Sequence, residues 1–490
     1  MLFNSYAFIF VFLPITLIGF FILARYRSAR VATGWLTIAS LIFYGYWNPT
    51  YLALLVISIV FNHQIGDRIT KSKTGSRDAK ILLWIGISIN LCLIGYYKYA
   101  GFLVSSLNSL LQTNWQTPQI ILPLAISFYT FTQIAYLVDA YRGETKNAKY
   151  DLPTYGLFVS FFPQLIAGPI LRHDELIPQL KQKENFIFSH KNITMGLVLF
   201  TLGLSKKVLI ADNLSPWVAP IFANADNVTF IEAWVGALSY TFQLYFDFSG
   251  YSDMAIGLGW MFNMNLPLNF NSPYKAISIT DFWRRWHITL SNFLRDYLYI
   301  ILGGSRKGEV RRYANLLITM LLGGLWHGAG WTYVVWGGLH GVYLSINHAW
   351  RKLEISLPKI IAWIITFLAV IVSWVLFRAS SFSSAIALLK TMVGFQGIVI
   401  PGNPSSSFSW LSQFGIEFNN WGQLNYLPPG NAYSLIVLLG LILAVTLLPN
   451  TQQIMENFKL KWWSAALIGL MMAISLLSLN RVSEFLYFQF

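Results

Sequence analysis

Charged residues are scarce in this 490-residue chain: Asp, Glu, Lys and Arg make up 11% of it, where a soluble domain carries about a quarter. With 55% of residues in the hydrophobic set and a mean hydropathy of +0.53, too little polar surface exists to cover a water-facing globule, and an ordinary cytosolic domain is excluded. Cysteine is nearly absent. Cys92 stands alone in an apolar run, so neither an intramolecular disulfide nor a cysteine zinc cluster is possible, and it reads as a small buried residue. Missing as well are a GxSxG elbow, a phosphate-binding Walker loop and a GxGxxG fingerprint, which argues against a serine hydrolase, an ATPase and a dinucleotide-binding fold. No internal repeat, low-complexity tract or nucleic-acid motif is present, and no point clearly separates domains.

What is abundant is apolar and aromatic: 19 Trp and 25 Tyr suit membrane interfaces, where amphipathic rings settle. A hydrocarbon core about 30 Å thick is crossed by roughly 20 apolar residues in a helix. Twelve candidate spans follow, near 7–24, 31–47, 50–66, 81–99, 119–141, 193–211, 230–247, 313–326, 331–349, 360–377, 434–449 and 463–480. The first has no small-residue cleavage site before Arg25 and reads as a retained helix. The formal charge of +14 would suggest nucleic acid in a soluble protein. Here most of the basic residues fall in alternate loops, from Arg25, Arg27 and Arg30 onward to Lys459 and Lys461. Because Lys and Arg accumulate on the cytoplasmic side, both termini are expected outside.

Three stretches resist reading as simple spans. Residues 158–170, FVSFFPQLIAGPI, are apolar but contain Pro163, Gly168 and Pro169; a broken or re-entrant segment is expected, tolerable at membrane depth only when buried in protein or lining a cavity. Residues 248–312 carry eight basic residues and should stay at the inner face, whereas 400–433, rich in Pro, Gly, Ser and Asn, reads as an outer loop. Within the inner segment the periodicity of Trp283, Trp286, Leu290, Tyr297 and Ile301 predicts one interfacial helix started by Thr280 and ended by Gly303 and Gly304.

Candidate chemistry concentrates in that segment and just beyond it. Arg284, Arg285, Arg306 and Lys307, the last two beside a glycine turn, suit phosphate groups; the alternative is a positive-inside anchor. The helix rise carries His327 about 22 Å from Arg312, inside the membrane profile. An ionisable residue there is a functional hypothesis, set against a histidine that merely bonds a neighbouring helix. Neutral imidazole can take a proton from a hydroxyl and return it. His287 and His340 accompany it, but their spacing matches no zinc pattern and no metal is expected. His63, His173, His190 and His348 fall near loops or span ends and read as solvated or interfacial. Asp247 and Asp253 in YFDFSGYSDM suit either a transporter's cation site or a partner for the arginine-rich helix.

At these motifs the sequence resembles the membrane-bound O-acyltransferase family, and within it the bacterial alginate O-acetyltransferase type. The carriers are FFPQLIAGPI at 161–170, QLYFDFSGYSDMAIGLG at 243–259, NFNSPYKAISITDFWRRWHITLSNFLRDYLY at 269–299, GLWHGAGWTYVVWGGLHG at 324–341 and SWVLFRASSFSSAIALLK at 373–390. The resemblance is strongest over about 120–350, which it marks as the acyltransferase core of a single integral-membrane domain spanning 1–490, with C-terminal helices over 351–490. It implies an all-α polytopic bundle with a funnel from each side, the family's histidine at His327 and its second polar position at His287. It also implies acetyl-CoA as donor with no permanently bound cofactor, a bacterial inner-membrane location among membrane lipid, and an acceptor hydroxyl outside. That hydroxyl belongs to an exported polysaccharide or to a partner such as an SGNH-type acetyltransferase. The chain departs from the type at Ile301 and Ser305, and at Trp260 and Asn263. D-alanyl transfer to teichoic acids, lipid acylation and a histidine-based transporter are the competing readings.

Overall fold

The computed structural model of the chain describes residues 1–146, 150–395 and 433–481, with 397–401, 416–419, 413, 426 and 486. Helices dominate, and the chain divides into two compact units. The first comprises Met1–Leu204, Tyr251–Asn269 and Leu460–Leu479; the second comprises Ser205–Gly250, Phe270–Lys459 and Asn480–Phe490. Besides the helices, Ile398–Pro401 and Ile416–Asn419 pair as a short two-stranded parallel ladder. The β-branched run Ile398, Val399, Ile400 favours extended backbone there. Most of the expected outer loop at 400–433 lies outside the described residues.

Among the described residues five helices are long and apolar enough to cross a membrane: Ala7–Tyr26, Pro49–Lys71, Arg77–Leu111, His190–Ala223 and Lys359–Arg378. Tyr433–Leu447 and Trp462–Leu477 are apolar but shorter. On the first helix Val11, Ile15, Ile18 and Ile22 are exposed at intervals of three and four residues, a stripe that water would penalise and lipid would not. Cys92 is also exposed rather than buried; in a lipid-facing stretch a thiol needs no protein cover.

In the first unit the Pro-Gly segment breaks as expected. Leu152–Ser160 is helical, Phe161 turns the chain out at φ −50°, ψ 109°, and Phe162–Leu165 forms one further turn. Residues 155–171 are buried throughout. A departure from the family pattern is explained nearby. Asn263 adopts a left-handed φ of +58°, a conformation Asn tolerates better than most residues. Its amide donates to the Asn185 and Ile187 carbonyls at 3.0 and 2.8 Å and accepts from Asn192 at 2.9 Å.

His173 requires correction: it is 2% exposed, not solvated. Its Nε2 lies 3.3 Å from Asp139, and Nδ1 faces the Tyr150 hydroxyl at 2.9 Å. Burial, with the charges of Asp174 and Asp139, pushes the Tyr150 phenol up to about 12, so it keeps its proton and donates to Nδ1. Asp139, Glu144 and His173 each bring a ligand atom within 4.8 Å of the others. Arg172 already meets Asp139 and Glu144 at 3.6 and 3.4 Å, and Arg142 meets Asp139 at 3.5 Å. The cluster is an ion-pair network.

Candidate active site

The second unit holds the histidines. The helix Glu309–His327 ends at His327, and Trp331–Trp350 returns beside it. Gly324 and Gly337 allow the crossing. A Cβ on Gly324 would lie 2.2 Å from the Tyr333 carbonyl oxygen, and one on Gly337 would lie 2.2 Å from that of Met320, so the backbones meet where side chains cannot fit. Gly324→Ala is therefore expected to destabilise the protein by about 1–3 kcal/mol, the usual cost of overpacking, read as a fall in the melting temperature in detergent. An unchanged melting temperature would count against this crossing.

His327 is 5% exposed and ringed by aromatics. Its centroid lies 5.1 Å from Trp336, nearly perpendicular, and 5.4 Å from Phe377. His287, fully buried, is 6.3 Å away and packs edge-on against Phe248 at 4.8 Å. Also against Trp336, at 4.9 Å, sits His340, whose Nδ1 accepts from Trp283 Nε1 at 3.2 Å. The structure thus brings His327 and His287 together and gives His340 a bonded place in the aromatic wall.

The segment bearing His287 differs from its expected form. Instead of one continuous helix, Ile279–Trp283 is capped by Ser278, whose hydroxyl accepts from Asp281 N–H at 3.1 Å. The chain breaks at His287 (φ +44°, ψ +54°) and resumes as Ile288–Leu294. Thr280 does not cap: its hydroxyl donates to Asn347 at 2.6 Å. A left-handed non-glycine residue costs about 1–3 kcal/mol and persists where surroundings over-determine it, commonly at functional sites. The break aims the imidazole inward, where a continuous helix would have carried it along the periodic face.

The four basic candidates separate. Arg285 is committed to structure, with Nε on Asp281 at 2.9 Å and Nη1 on the Asn271 carbonyl at 3.3 Å. Arg306 and Lys307 are exposed in the turn after Gly303 and Gly304, pinned by Asn315 Nδ2 on the Gly304 carbonyl at 2.9 Å. Arg284 is exposed, and its charge acts with those of Arg312 and Arg351 at His348. Arg312 Nη2 lies 2.6 Å from His348 Nδ1. Sequence spacing missed this three-arginine grouping because its members come from three separate segments.

Asp247 meets the chain's own Lys207, not the arginine-rich segment. It holds Lys207 Nζ at 2.7 Å, which also reaches Asp212 at 2.6 Å, and its other oxygen accepts from Leu486 N–H at 3.0 Å. One ammonium thus serves both carboxylates.

Residues 143–386 match the model of the membrane-bound O-acyltransferase family. The chain is 43% identical to the peptidoglycan O-acetyltransferase of Helicobacter pylori, over 100% of this chain and 98% of that one. It is 46% identical to the probable alginate O-acetylase of Azotobacter vinelandii, over 81% of this chain and 78% of that one. A teichoic acid D-alanyltransferase of Bacillus subtilis is 26% identical over 53% of this chain and 69% of its own length.

Proposed function

Because the chain belongs to the membrane-bound O-acyltransferase family and is an acyltransferase of the membrane, we propose that it moves acetyl from cytoplasmic acetyl-CoA to a hydroxyl presented from the outer side of a bacterial inner membrane. The product is an O-acetylated polysaccharide of the cell envelope, made directly or through a partner of the SGNH type. The observation that carries this reading is the pair of buried imidazoles 6.3 Å apart, His327 at a helix end and His287 in a left-handed break. Both termini lie outside, as the basic loops favour.

In the reaction the acceptor oxygen attacks the thioester carbonyl while its proton passes to His327. The new carbon–oxygen bond forms and the carbon–sulfur bond breaks, its electron pair leaving on sulfur. The proton held by His327 then returns to that thiolate, so charge balances. His287 positions and polarises the carbonyl. The aromatic wall of Trp326, Trp336 and Phe377 keeps bulk water from competing with the acceptor. Arg284, Arg312 and Arg351, with Arg306 and Lys307, attract the donor's phosphates.

Purified protein in detergent supplies the test, since no gradient exists there. Acetyl-CoA should be consumed and acetyl should appear on an added hydroxyl acceptor. A protein that moves ions or solutes on its histidines would release no CoA. D-alanyl transfer predicts turnover only with a D-alanyl carrier, and lipid acylation predicts label in the lipid fraction.

A further inference from the structure

Lys191 belongs to the inner-face basic residues by topology, yet the structure sets it at the rim of a cavity. Within the first unit Lys191, Asn192, Met195, Trp260, Asn263 and Asn265 line a space of about 280 Å³, more than a water or a lone ion needs. Its walls are the first turns of the helix His190–Ser205 and the end of the helix Phe230–Met261 with the residues that follow. The two helices touch at Gly196 and Gly257, where a Cβ on Gly196 would lie 2.5 Å from the Gly257 carbonyl oxygen. The cavity lies past that contact, toward the helix ends. Asn263 fixes its shape, since its amide ties Asn185 and Ile187, before one helix, and Asn192, within it, to the turn after the other. Trp260 and Asn263 are positions where the chain departs from the alginate type, so two of the six lining residues are this chain's own.

The lining has a definite chemistry. Lys191 is its one charged residue, and no carboxylate faces the space. Among the described residues no hydrogen bond or ion pair engages Lys191 Nζ, Trp260 Nε1 or the Asn265 side chain, which leaves an ammonium, an indole N–H and a carboxamide as donors for a guest. The first turn of the sixteen-residue helix His190–Ser205 adds positive potential at the same spot. Next to this polar space the chain exposes Ile187, Phe188 and Leu197, side chains that suit acyl chains and not water. In the orientation adopted above, all of this lies at the inner interface, the level of lipid headgroups.

We propose that this cavity binds the headgroup of an anionic phospholipid of the inner leaflet, one with a single phosphodiester charge and free hydroxyls, as in phosphatidylglycerol. Lys191 pairs with the phosphodiester in a charge-assisted contact, and Trp260 and Asn265 donate to the phosphate and glycerol oxygens. The acyl chains lie along Ile187, Phe188 and Leu197. The charge count selects this guest. An ammonium headgroup finds no carboxylate in the lining, and a lipid with two phosphates, or the several phosphates of a nucleotide, calls for more cations than one lysine. The site is independent of which group the histidines transfer.

The test follows thermal unfolding of the purified full chain in mild detergent while phosphatidylglycerol, or phosphatidylcholine with the same acyl chains, is added. Phosphatidylglycerol should raise the melting temperature along a saturating curve, and phosphatidylcholine should not. Lys191→Gln should raise the half-saturating lipid concentration by roughly tenfold, the worth of one charge-assisted hydrogen bond, whereas Lys191→Arg should keep most of the affinity. Trp260→Phe, which keeps an aromatic ring but removes the indole N–H, should weaken binding in the same direction. Because Lys191 is exposed and unbonded among the described residues, Lys191→Gln should melt with the wild type before lipid is added, which separates lost binding from lost folding. Lys359→Gln, at the start of another span, should leave the curve unchanged and so separates the cavity from general attraction of anionic lipid to a basic face. Equal responses to the two lipids, a Lys191→Gln curve that overlays the wild type, or an equal shift in Lys359→Gln would overturn the proposal. Saturation by glycerol 3-phosphate or CoA at the same concentrations would assign the cavity to a soluble phosphate compound and overturn the lipid.

Discussion

His327→Ala is expected to lower acetyl transfer by about 10²- to 10⁴-fold, the usual worth of a positioned general base, while the protein still purifies as a folded species. The size of the effect follows from the surroundings. At 5% exposure, between Trp336 and Phe377, the imidazole is screened from bulk water, and the neighbouring histidine ring is that of His287, 6.3 Å away. That second histidine is fixed in a left-handed turn against Phe248 and cannot swing across. Substitution at His287 should therefore also reduce kcat, through lost polarisation of the carbonyl. The measurement is CoA release and acetyl incorporation in detergent, with the melting temperature as the check on folding. Parental turnover by folded His327→Ala would remove this histidine from the mechanism.

The burial of His327 at a helix end was legible in the sequence because two independent signals converged: a helix too short to cross before reaching it, and glycines that clear the space around it. The broken segment at 158–170 was legible because proline and glycine act on the backbone locally. The break at His287 was not. Trp283, Trp286 and Leu290 keep helical spacing across it, since aromatic side chains on both sides of the break are buried, so the periodicity conceals the turn. The cap was misplaced by two residues because Ser278 and Thr280 are equally competent by type, and only the fold brings Asn347 within reach of Thr280. Arg285 was open to a better reading, as Asp281 stands four residues before it, the spacing of a helical ion pair. His173 and Asp247 could not be read at all, because their partners Asp139 and Lys207 are distant in sequence and pattern reasoning reaches only along one element.

Lys207→Met is the second large effect, expected to destabilise the protein by about 3–5 kcal/mol. The ammonium is 4% exposed and lies between Asp212 and Asp247, whose side chains are 7% and 1% exposed. A buried pair contributes little net stability, yet removing one member strands the other, and here a single lysine serves two carboxylates. Methionine keeps the volume but leaves two like charges facing each other, so at least one must take up a proton to remain buried. The Leu486 N–H on Asp247 offsets only part of the loss. The effect should reach the active site, because Phe248 follows Asp247 on the same helix and carries the edge contact to His287. Thermal unfolding in detergent checks the first claim and kcat the second. Adding Asp247→Asn to Lys207→Met should recover part of the stability, the coupling signature of neighbours in one network. If Lys207→Met melts with the wild type, or if Asp247→Asn adds its own penalty undiminished, the lysine is not what holds these carboxylates in place, and the route from this charge cluster through Phe248 to His287 fails with it.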